Sequence, residues 1–515
     1  MELLDNIIQS LEKEIKEESQ NIKQIILTFL SAYTEDPQNT RVLAPSGEGK
    51  TYLVTKVAQL FPKEDVIILS KATSESLKYN LSKKVIENGR DNFQDYDTAI
   101  KPIEEELSKS KDKERQEELK EQLKELRSST VDLIDLTNKT LVFTDSQSYG
   151  VWENLKTTLS HDSKIQRSIS VNKSKSGTLK GQEFVWMGSP ACIYCSAKDE
   201  QKQDETNEIN TRFNTISLNT SKRKYRKMLD HEATRSSIPG FIYENEVISE
   251  NEICQLKENV ESLIEEIKKD HDIWNPFGQG LSKLFDDDAG YRTRQLKIIN
   301  NNTRVHTLVN HKNRPKITID SRQIPIVTWD DIDVASSLTK KPREIQPYKI
   351  KVFNEKIRQV ILKHGNEHST LSGVLKGLTA SEIVEHVGEK EKGRQKYQET
   401  FLKPLSDQGF LDETLDPNNR TRHIYCLPEK YQKEDATIES TLIDISILDD
   451  SCVDSFVKQY IKHRFEIGEL TIEDKKGNSI NPQQLVELLK KRHFDSTNRH
   501  ELDNVDSSID IDRSS

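Results

Sequence analysis

Residues 44–51 read Ala-Pro-Ser-Gly-Glu-Gly-Lys-Thr, and no other stretch limits the fold of this chain so tightly. They fit the phosphate-cradling pattern G-x-x-x-x-G-K-[ST] at each fixed position except the first, where Ala44 stands for glycine. In such a loop successive backbone N–H groups point inward at phosphate oxygens, and the N-terminus of the following helix adds its partial positive charge. Ser46, Gly47, Glu48, Gly49, Lys50 and Thr51 are the expected contacts to a nucleoside triphosphate. Lys50 reaches the β- and γ-phosphates, and the Thr51 hydroxyl helps to hold Mg²⁺. The flanks agree: Thr40 to Leu43 is β-prone, and Tyr52 to Leu60 is amphipathic at helical spacing. Strand, loop and helix in that order imply an α/β nucleotide-binding core.

The 515 residues have room for about three or four domains. Charged residues make up 31% and hydrophobic ones 33%, so much of the chain is solvated surface or long helix. A net charge of −10 excludes wrapping nucleic acid over the whole surface, though not local basic patches. The five cysteines (Cys192, Cys195, Cys254, Cys426 and Cys452) are too few and scattered for a disulfide framework, which points to a reducing compartment. Residues 1–20 form an acidic amphipathic pattern unlike a signal peptide. No apolar run approaches the ~18 residues of a membrane span, so a cytoplasmic protein with no membrane partner is expected.

Leu3, Ile7, Leu11 and Ile15 step by four, which predicts an N-terminal helical segment over 1–35 that packs beside the core or offers a partner surface. Val66 to Leu69 is wholly apolar and reads as a strand buried in a parallel sheet. Residues 91–129 turn to Glu, Lys and Leu at helical spacing, which predicts a helical or coiled-coil insertion. Thr140 to Phe143 is a second apolar strand, and Asp145 follows it. A carboxylate at such a strand end holds Mg²⁺ or its water, or polarises the attacking water. An Asp-Glu pair is usual there, and Asp145 stands alone.

His161 beside Asp162 suggests a dyad, but neighbours on a helix do not face each other, and a helix end is expected. Arg167 to Lys180 reads as a basic loop or hairpin. Pro190 to Ala197 is another buried strand with Ser196 at its polar tip. Its C-x-x-C spacing lacks a second ligand pair, so Cys192 and Cys195 are expected to pack as small apolar groups rather than bind zinc. Arg212 follows, and then Ser221 to Lys227 with five basic residues in seven.

This succession of loop, two strands, acidic strand end, polar-tipped strand and Thr-Arg-Phe (211–213) resembles the AAA+ and related helicase-type ATPases. It is also similar to replication proteins of mobile genetic elements, in which such a core precedes a winged helix. The resemblance spans roughly residues 36–320. It implies a P-loop ATPase core over 36–240, with ATP and Mg²⁺ as cofactors. In it Asp145 serves metal or water, Ser196 is the sensor, and Arg212 is the arginine finger acting in trans in a homo-oligomer.

A lid-like helical region is expected over 241–340, with a periodic helix at 245–270 and a basic stretch from Arg292 to Lys316. Arg292 or Arg294 would lean on nucleotide, or the stretch would face DNA. In 345–430, Thr379 and Glu382 form a capping box that opens a helix, and Arg394 to Leu405 makes a second, which Pro404 would end early. A hairpin follows around the 417–419 turn. This order resembles a winged-helix domain, which would set Lys392, Arg394, Lys396 and Lys403 toward the major groove and Arg420 and Arg422 near phosphates. A small helical module is expected at 431–494 and a disordered acidic tail at 495–515.

The fold class expected is therefore an α/β P-loop NTPase core with a parallel sheet, flanking helices and a helical insertion, then a helical lid and a C-terminal winged-helix domain. The function expected is a DNA-dependent ATPase of helicase or replication-initiator type. An ATP-gated DNA-binding switch or loader, a winged-helix regulator with little hydrolysis and a small-molecule kinase are the alternatives. The winged helix speaks against the kinase.

Overall fold

The computed structural model describes residues 3–161, 163–173, 179–197, 211–219, 222–240, 242–243, 250–285, 292–339, 349, 352–370, 373–388, 393–407, 410–416, 419–428, 431–432, 445, 448 and 450–491. The tail expected at 495–515 lies outside them. At the centre is a parallel sheet of five strands: β1 (Asn39–Leu43), β2 (Val66–Leu69), β6 (Thr140–Phe143), β9 (Ala191–Ser196) and β10 (Asn214–Ser217). Their spatial order is β10-β1-β9-β6-β2. Every residue of β1, β6 and β9 is buried, as suits strands covered on both faces.

Alternation along the strands divides the side chains between two cores. Val142, Ile193 and Cys195 join one with α1 (Leu3–Glu12), α2 (Ser19–Ser31) and α3 (Lys50–Ala58). Leu141, Phe143, Cys192 and Tyr194 join the other with α4 (Ser74–Leu81) and α7 (Tyr149–Leu155), around Trp152. The N-terminal helices are thus part of the main core. β2 departs from expectation. Among the described residues it is an edge strand, paired with β6 alone, and Ile68 is 49% exposed. An apolar run does not by itself distinguish a central strand from an edge strand.

The helical insertion is α5 (Tyr96–Lys109) and α6 (Lys113–Ser128), closed over Ile100 and Leu123. It belongs to a larger layer. β3 (Lys83–Glu87), β4 (Phe93–Asp95), β5 (Thr130–Asp135), β7 (Ile165–Lys173) and β8 (Leu179–Met187) form a mixed sheet of order β4-β3-β5-β8-β7. The described part of the basic stretch expected at 167–180 lies in the antiparallel strands β7 and β8, residues 174–178 being outside the described residues, and Arg167 pairs with Glu87, Asp91 and Glu183.

Beyond β10 run α8 (Lys222–Ser237), α9 (Glu250–Lys269), the one-turn α10 (Gly278–Leu281), α11 (Arg292–Val309) and α12 (Trp329–Leu338). α9 packs Leu256, Val260, Leu263 and Ile267 into the α1–α3 core. A buried amide network joins α11 and α12 to the sheet: Asn214 Nδ2 donates to Gln24 Oε1 (3.0 Å) and Leu338 O (3.0 Å), and Gln24 Nε2 donates to Asn302 Oδ1 (3.3 Å).

β11 (Lys316–Ile319) and β12 (Arg322–Pro325) form a hairpin, and β17 (Leu470–Glu473) adds a third antiparallel strand beside β11. Ile445, Leu448, Val453, Ile461, Leu485 and Leu489 share one core with Phe277, Ile299, Ile317, Ile326 and Ile332. The segment expected as a separate module at 431–494 is therefore half of one unit whose other half is 273–338. The stretch 352–432 is inserted between the halves. It has its own core of Phe353, Ile361, Leu378, Ile383, Tyr397, Leu402, Phe410 and Tyr425.

That inserted unit holds α13 (Arg358–His364), β13 (Asn366–Thr370), β14 (Gly373–Thr379), α14 (Ala380–Val387), α15 (Arg394–Tyr397), α16 (Lys403–Asp407), β15 (Asp412–Asp416) and β16 (Asn419–Cys426). Its sheet order is β13-β14-β16-β15. The Thr379–Glu382 capping box is present. A π turn over Gln398–Leu402 links α15 to α16, so the helix passes Pro404 instead of ending there. The wider turn before the proline relieves the contact its ring would make with the preceding turn. The β13–β14 hairpin ahead of α14 left no mark in the sequence pattern.

Candidate nucleotide-binding site

At the carboxyl end of β1 the chain turns through 44–49 into α3. Gly47 and Gly49 have φ of +89° and +85°, and Gly49 is the residue that caps α3. A Cβ at either would meet nothing within 4 Å, so glycine is required by backbone conformation and not by crowding. Lys50 Nζ donates to the carbonyls of Ala44 and Pro45, each at 2.7 Å. Burial lowers the Lys50 ammonium pKa, while the charges of Glu48 and Asp145 act the other way. The Thr51 hydroxyl donates to Thr144 O at 3.4 Å, joining α3 to the end of β6. Asp145, exposed there, accepts the Ser146 N–H at 2.8 Å.

These groups surround a cavity of about 380 Å³ lined by Ser46, Gly47, Gly49, Lys50, Thr51, Tyr52, Thr144, Asp145, Cys195 and Ala197. Of the residues expected here, Ser46, Gly47, Gly49, Lys50, Thr51 and Asp145 come together. Glu48 faces away from the cavity: its Oε1 accepts the Tyr225 hydroxyl of α8 at 2.8 Å, and it does not line the cavity. Ser196 ends β9 buried beside Leu43, but the flanking Cys195 and Ala197 are the lining residues, since alternate strand residues face opposite ways. Burial pushes the Cys195 thiol up to about 12, against the nearby Lys50 charge.

Four side chains here escaped sequence reading. The sequence marks Cys195 only as a packing residue. Tyr52 lines the cavity with its hydroxyl 2.6 Å from Glu14 Oε2 and with Lys56 Nζ 5.5 Å from its ring centre. Burial works against the Glu14 charge, and hydrogen bonds from Lys56 and Tyr52 outweigh it, holding that carboxyl below the usual range. Gln147 ties the ends of β6 and β2 together: its Nε2 donates to Ser70 O (2.9 Å), and its Oε1 accepts the Ala72 N–H (2.9 Å). Tyr225 is the fourth. Only the adjacency of Tyr52 to Thr51 was a signal in the sequence.

Other expected residues lie elsewhere. Arg212 is at the amino end of β10, roughly 13 Å of strand from the cavity end, and its Nη1 donates to Lys156 O at 3.0 Å. Arg294 donates to the Thr211 hydroxyl at that same end, and the Arg292 side chain is outside the described residues. The basic run at 222–227 is matched by the α1–α2 corner. Lys224 meets Glu18 at 2.7 Å with both side chains under 5% exposed, and Arg223 and Lys227 meet Glu17. His161 has a left-handed φ of 59°, and Asp162 is outside the described residues. Cys192 and Cys195 leave β9 on opposite faces and cannot share a metal ion. In the inserted unit, Arg394, Lys396, Lys403 and Arg422 are exposed; Lys392 and the Arg420 side chain are outside the described residues.

No protein-family model matches the chain, and neither does any curated protein. Among solved structures it is similar to a full-length MCM homolog from Methanopyrus kandleri, at 11% identity over 65% of this chain and 58% of that one, with a TM-score of 0.28. It is also similar to SCCmec type IV Cch, an active helicase, at 11% identity over 82% of this chain and 70% of that one, with a TM-score of 0.28. The chain thus spans less than two thirds of the length of the MCM homolog. No helix among the described residues is long and apolar enough to cross a membrane.

Proposed function

We propose that this protein binds ATP at the 44–51 loop and couples its hydrolysis to work on DNA. The observation that carries the reading is the convergence of Lys50, Thr51 and Asp145 on one cavity at the carboxyl end of a parallel sheet. Crevices outside strand carboxyl ends are where open α/β sheets take ligands. The strand order is a second support, because β9 lies between the loop strand β1 and the acidic strand β6, which sets Lys50 and Asp145 on either side of its tip.

The loop N–H groups and the N-terminus of α3 would cradle the phosphates, and Lys50 would exchange its two carbonyl partners for phosphate oxygens. A hydroxyl and a carboxylate are the hard oxygen donors that suit Mg²⁺, so Thr51 and Asp145 are the residues to hold it. Bound there, that ion would offset phosphate charge during in-line attack by water. Arg212 serves, in this reading, only the site of a second copy. The 345–430 winged helix would meet the major groove through Lys392, Arg394, Lys396 and Lys403, with Arg420 and Arg422 on the wing near phosphates. The 241–340 region would act as a lid over the core.

A second reading, an ATP-gated DNA-binding switch or loader with slow turnover, draws on Asp145. Among the described residues it is the one carboxylate lining the cavity, where rapid hydrolysis calls for a second acid to orient water. ATP turnover by wild type and by Lys50→Ala, each with and without single- and double-stranded DNA, separates the readings. Turnover stimulated by DNA and lost in Lys50→Ala is the expected result. ATP binding without turnover in the wild type would leave the switch, and no ATP binding would remove both.

A further inference from the structure

Glu48 stands between the two left-handed glycines of the phosphate loop, a position at which a carboxylate opposes any bound anion. In this structure the carboxylate is turned away from the cavity, onto the Tyr225 hydroxyl at 2.8 Å. Its other oxygen, Oε2, is buried and finds no donor among the described residues. Tyr225 is therefore the only donor to this carboxylate among the described residues. Glu48 also acts electrostatically on Lys50. Released from Tyr225, the carboxylate would be free to approach the Lys50 ammonium, which already feels its charge and which a triphosphate needs.

Tyr225 is placed with some rigidity. One residue before it, Lys224 is clamped to Glu18, whose Oε1 also accepts the Asn219 N–H at 3.0 Å. Asn219 and Lys224 are thus both held to Glu18 at the α1–α2 corner, and the corner fixes where the Tyr225 hydroxyl falls. Burial pushes that hydroxyl up to about 12, and the Glu48 bond adds to the shift, so it stays protonated and donating at neutral pH.

We propose that Tyr225 is a positioning residue for the phosphate loop: by holding the Glu48 carboxylate outside the cavity it leaves Lys50 to the phosphates and makes triphosphate affinity depend on the docking of α8. The proposal rests on the nucleotide-site reading above. It also gives α8 a way to report occupancy, since phosphates that repel Glu48 load the Tyr225 contact directly.

The test is a double-substitution cycle read as the Kd of Mg·ATP by titration calorimetry, with inorganic triphosphate as a second probe. Wild type, Tyr225→Phe, Glu48→Gln and the double variant are compared. Loss of a hydrogen bond to a charged group is expected to make Tyr225→Phe bind about tenfold more weakly than wild type. In the Glu48→Gln background the same change is expected to alter Kd by less than about twofold. Equal weakening in both backgrounds would mark Tyr225 as a general structural support and overturn the proposal, as would no weakening in either. A merely structural loss would also appear in the melting temperature of Tyr225→Phe, which is expected to match the wild type. If the wild type binds neither Mg·ATP nor triphosphate, the nucleotide reading itself has failed. Binding by the wild type with an additive cycle condemns only the Tyr225 contact.

Discussion

Cys192 and Cys195 are three residues apart on β9, so their thiols leave the strand on opposite faces and enter different cores. Both are almost wholly buried, and burial raises both thiol pKa values, that of Cys195 to about 12. Cys254 is exposed on α9. Since the thiolate is the reacting species, brief maleimide treatment at pH 7.5 followed by peptide mass spectrometry is expected to label Cys254 and spare Cys192 and Cys195. Labelling of Cys195 before Cys254 would contradict its placement. The same strand shows why the residue that lines the cavity is one position away from the polar tip. The sequence marks Ser196 as the polar tip, but the phase of a strand against its neighbours decides which residue looks into the cavity, and Cys195 does. The 44–51 loop was legible because phosphate binding imposes fixed types at fixed spacing. Gln147 and Tyr225 were not, since their partners Ser70 and Glu48 are brought to them only by the fold.

At the scale of elements, charge is the feature that pattern reading assigns least well. The sequence shows the runs at 167–180 and 221–227 only as basic, whereas in the fold Arg167 is held by three acids and Lys224 by Glu18. Long-range partners of this kind carry no local signature. The tightest case joins α11, the turn before β11 and α12. Asp331 is fully buried, 2.7 Å from His306 Nδ1, and accepts two bonds from Arg314 at 2.8 Å each and others from Thr328. Burial opposes its charge, and the His306 and Arg314 hydrogen bonds outweigh that, holding the carboxyl far below the usual range. Asp331→Ala leaves a buried arginine without its acid and is expected to cost about 3–5 kcal/mol. Because the folded carboxyl titrates lower than the unfolded one, near 3.9, its contribution is whole above about pH 5. It falls away as the pH drops below the unfolded value toward the folded one. The gap in melting temperature between wild type and Asp331→Ala should therefore be widest near pH 7 and narrower at pH 3; a constant gap would refute the linkage.

Across the whole molecule, local periodicity located helices such as α3, α9 and α14 but missed α4, α7, α8 and α13, and it left the assembly hidden. The sequence reads 431–494 as an appendage, because nothing near β17 says that its partner is β11, far upstream. Removing residues 445–491 would uncover Phe277, Ile317, Ile326 and Ile332 and leave the edge of β11 unpaired. Such a truncation is expected to turn the protein insoluble or to abolish the cooperative melting of this unit. A soluble variant with unchanged calorimetric transitions would show that 273–338 stands alone. The inserted 352–432 unit closes its own core and needs neither half to do so. The order of synthesis then matters. On a ribosome adding about 5–20 residues per second, β11 emerges about 150 residues ahead of β17 and so waits roughly 8–30 s for it. Meanwhile the inserted unit can finish folding. A nascent chain of this protein thus carries an open strand edge for seconds beside a completed neighbour, and a holdase or slow codons in that interval would be best timed to the arrival of residues 470–473.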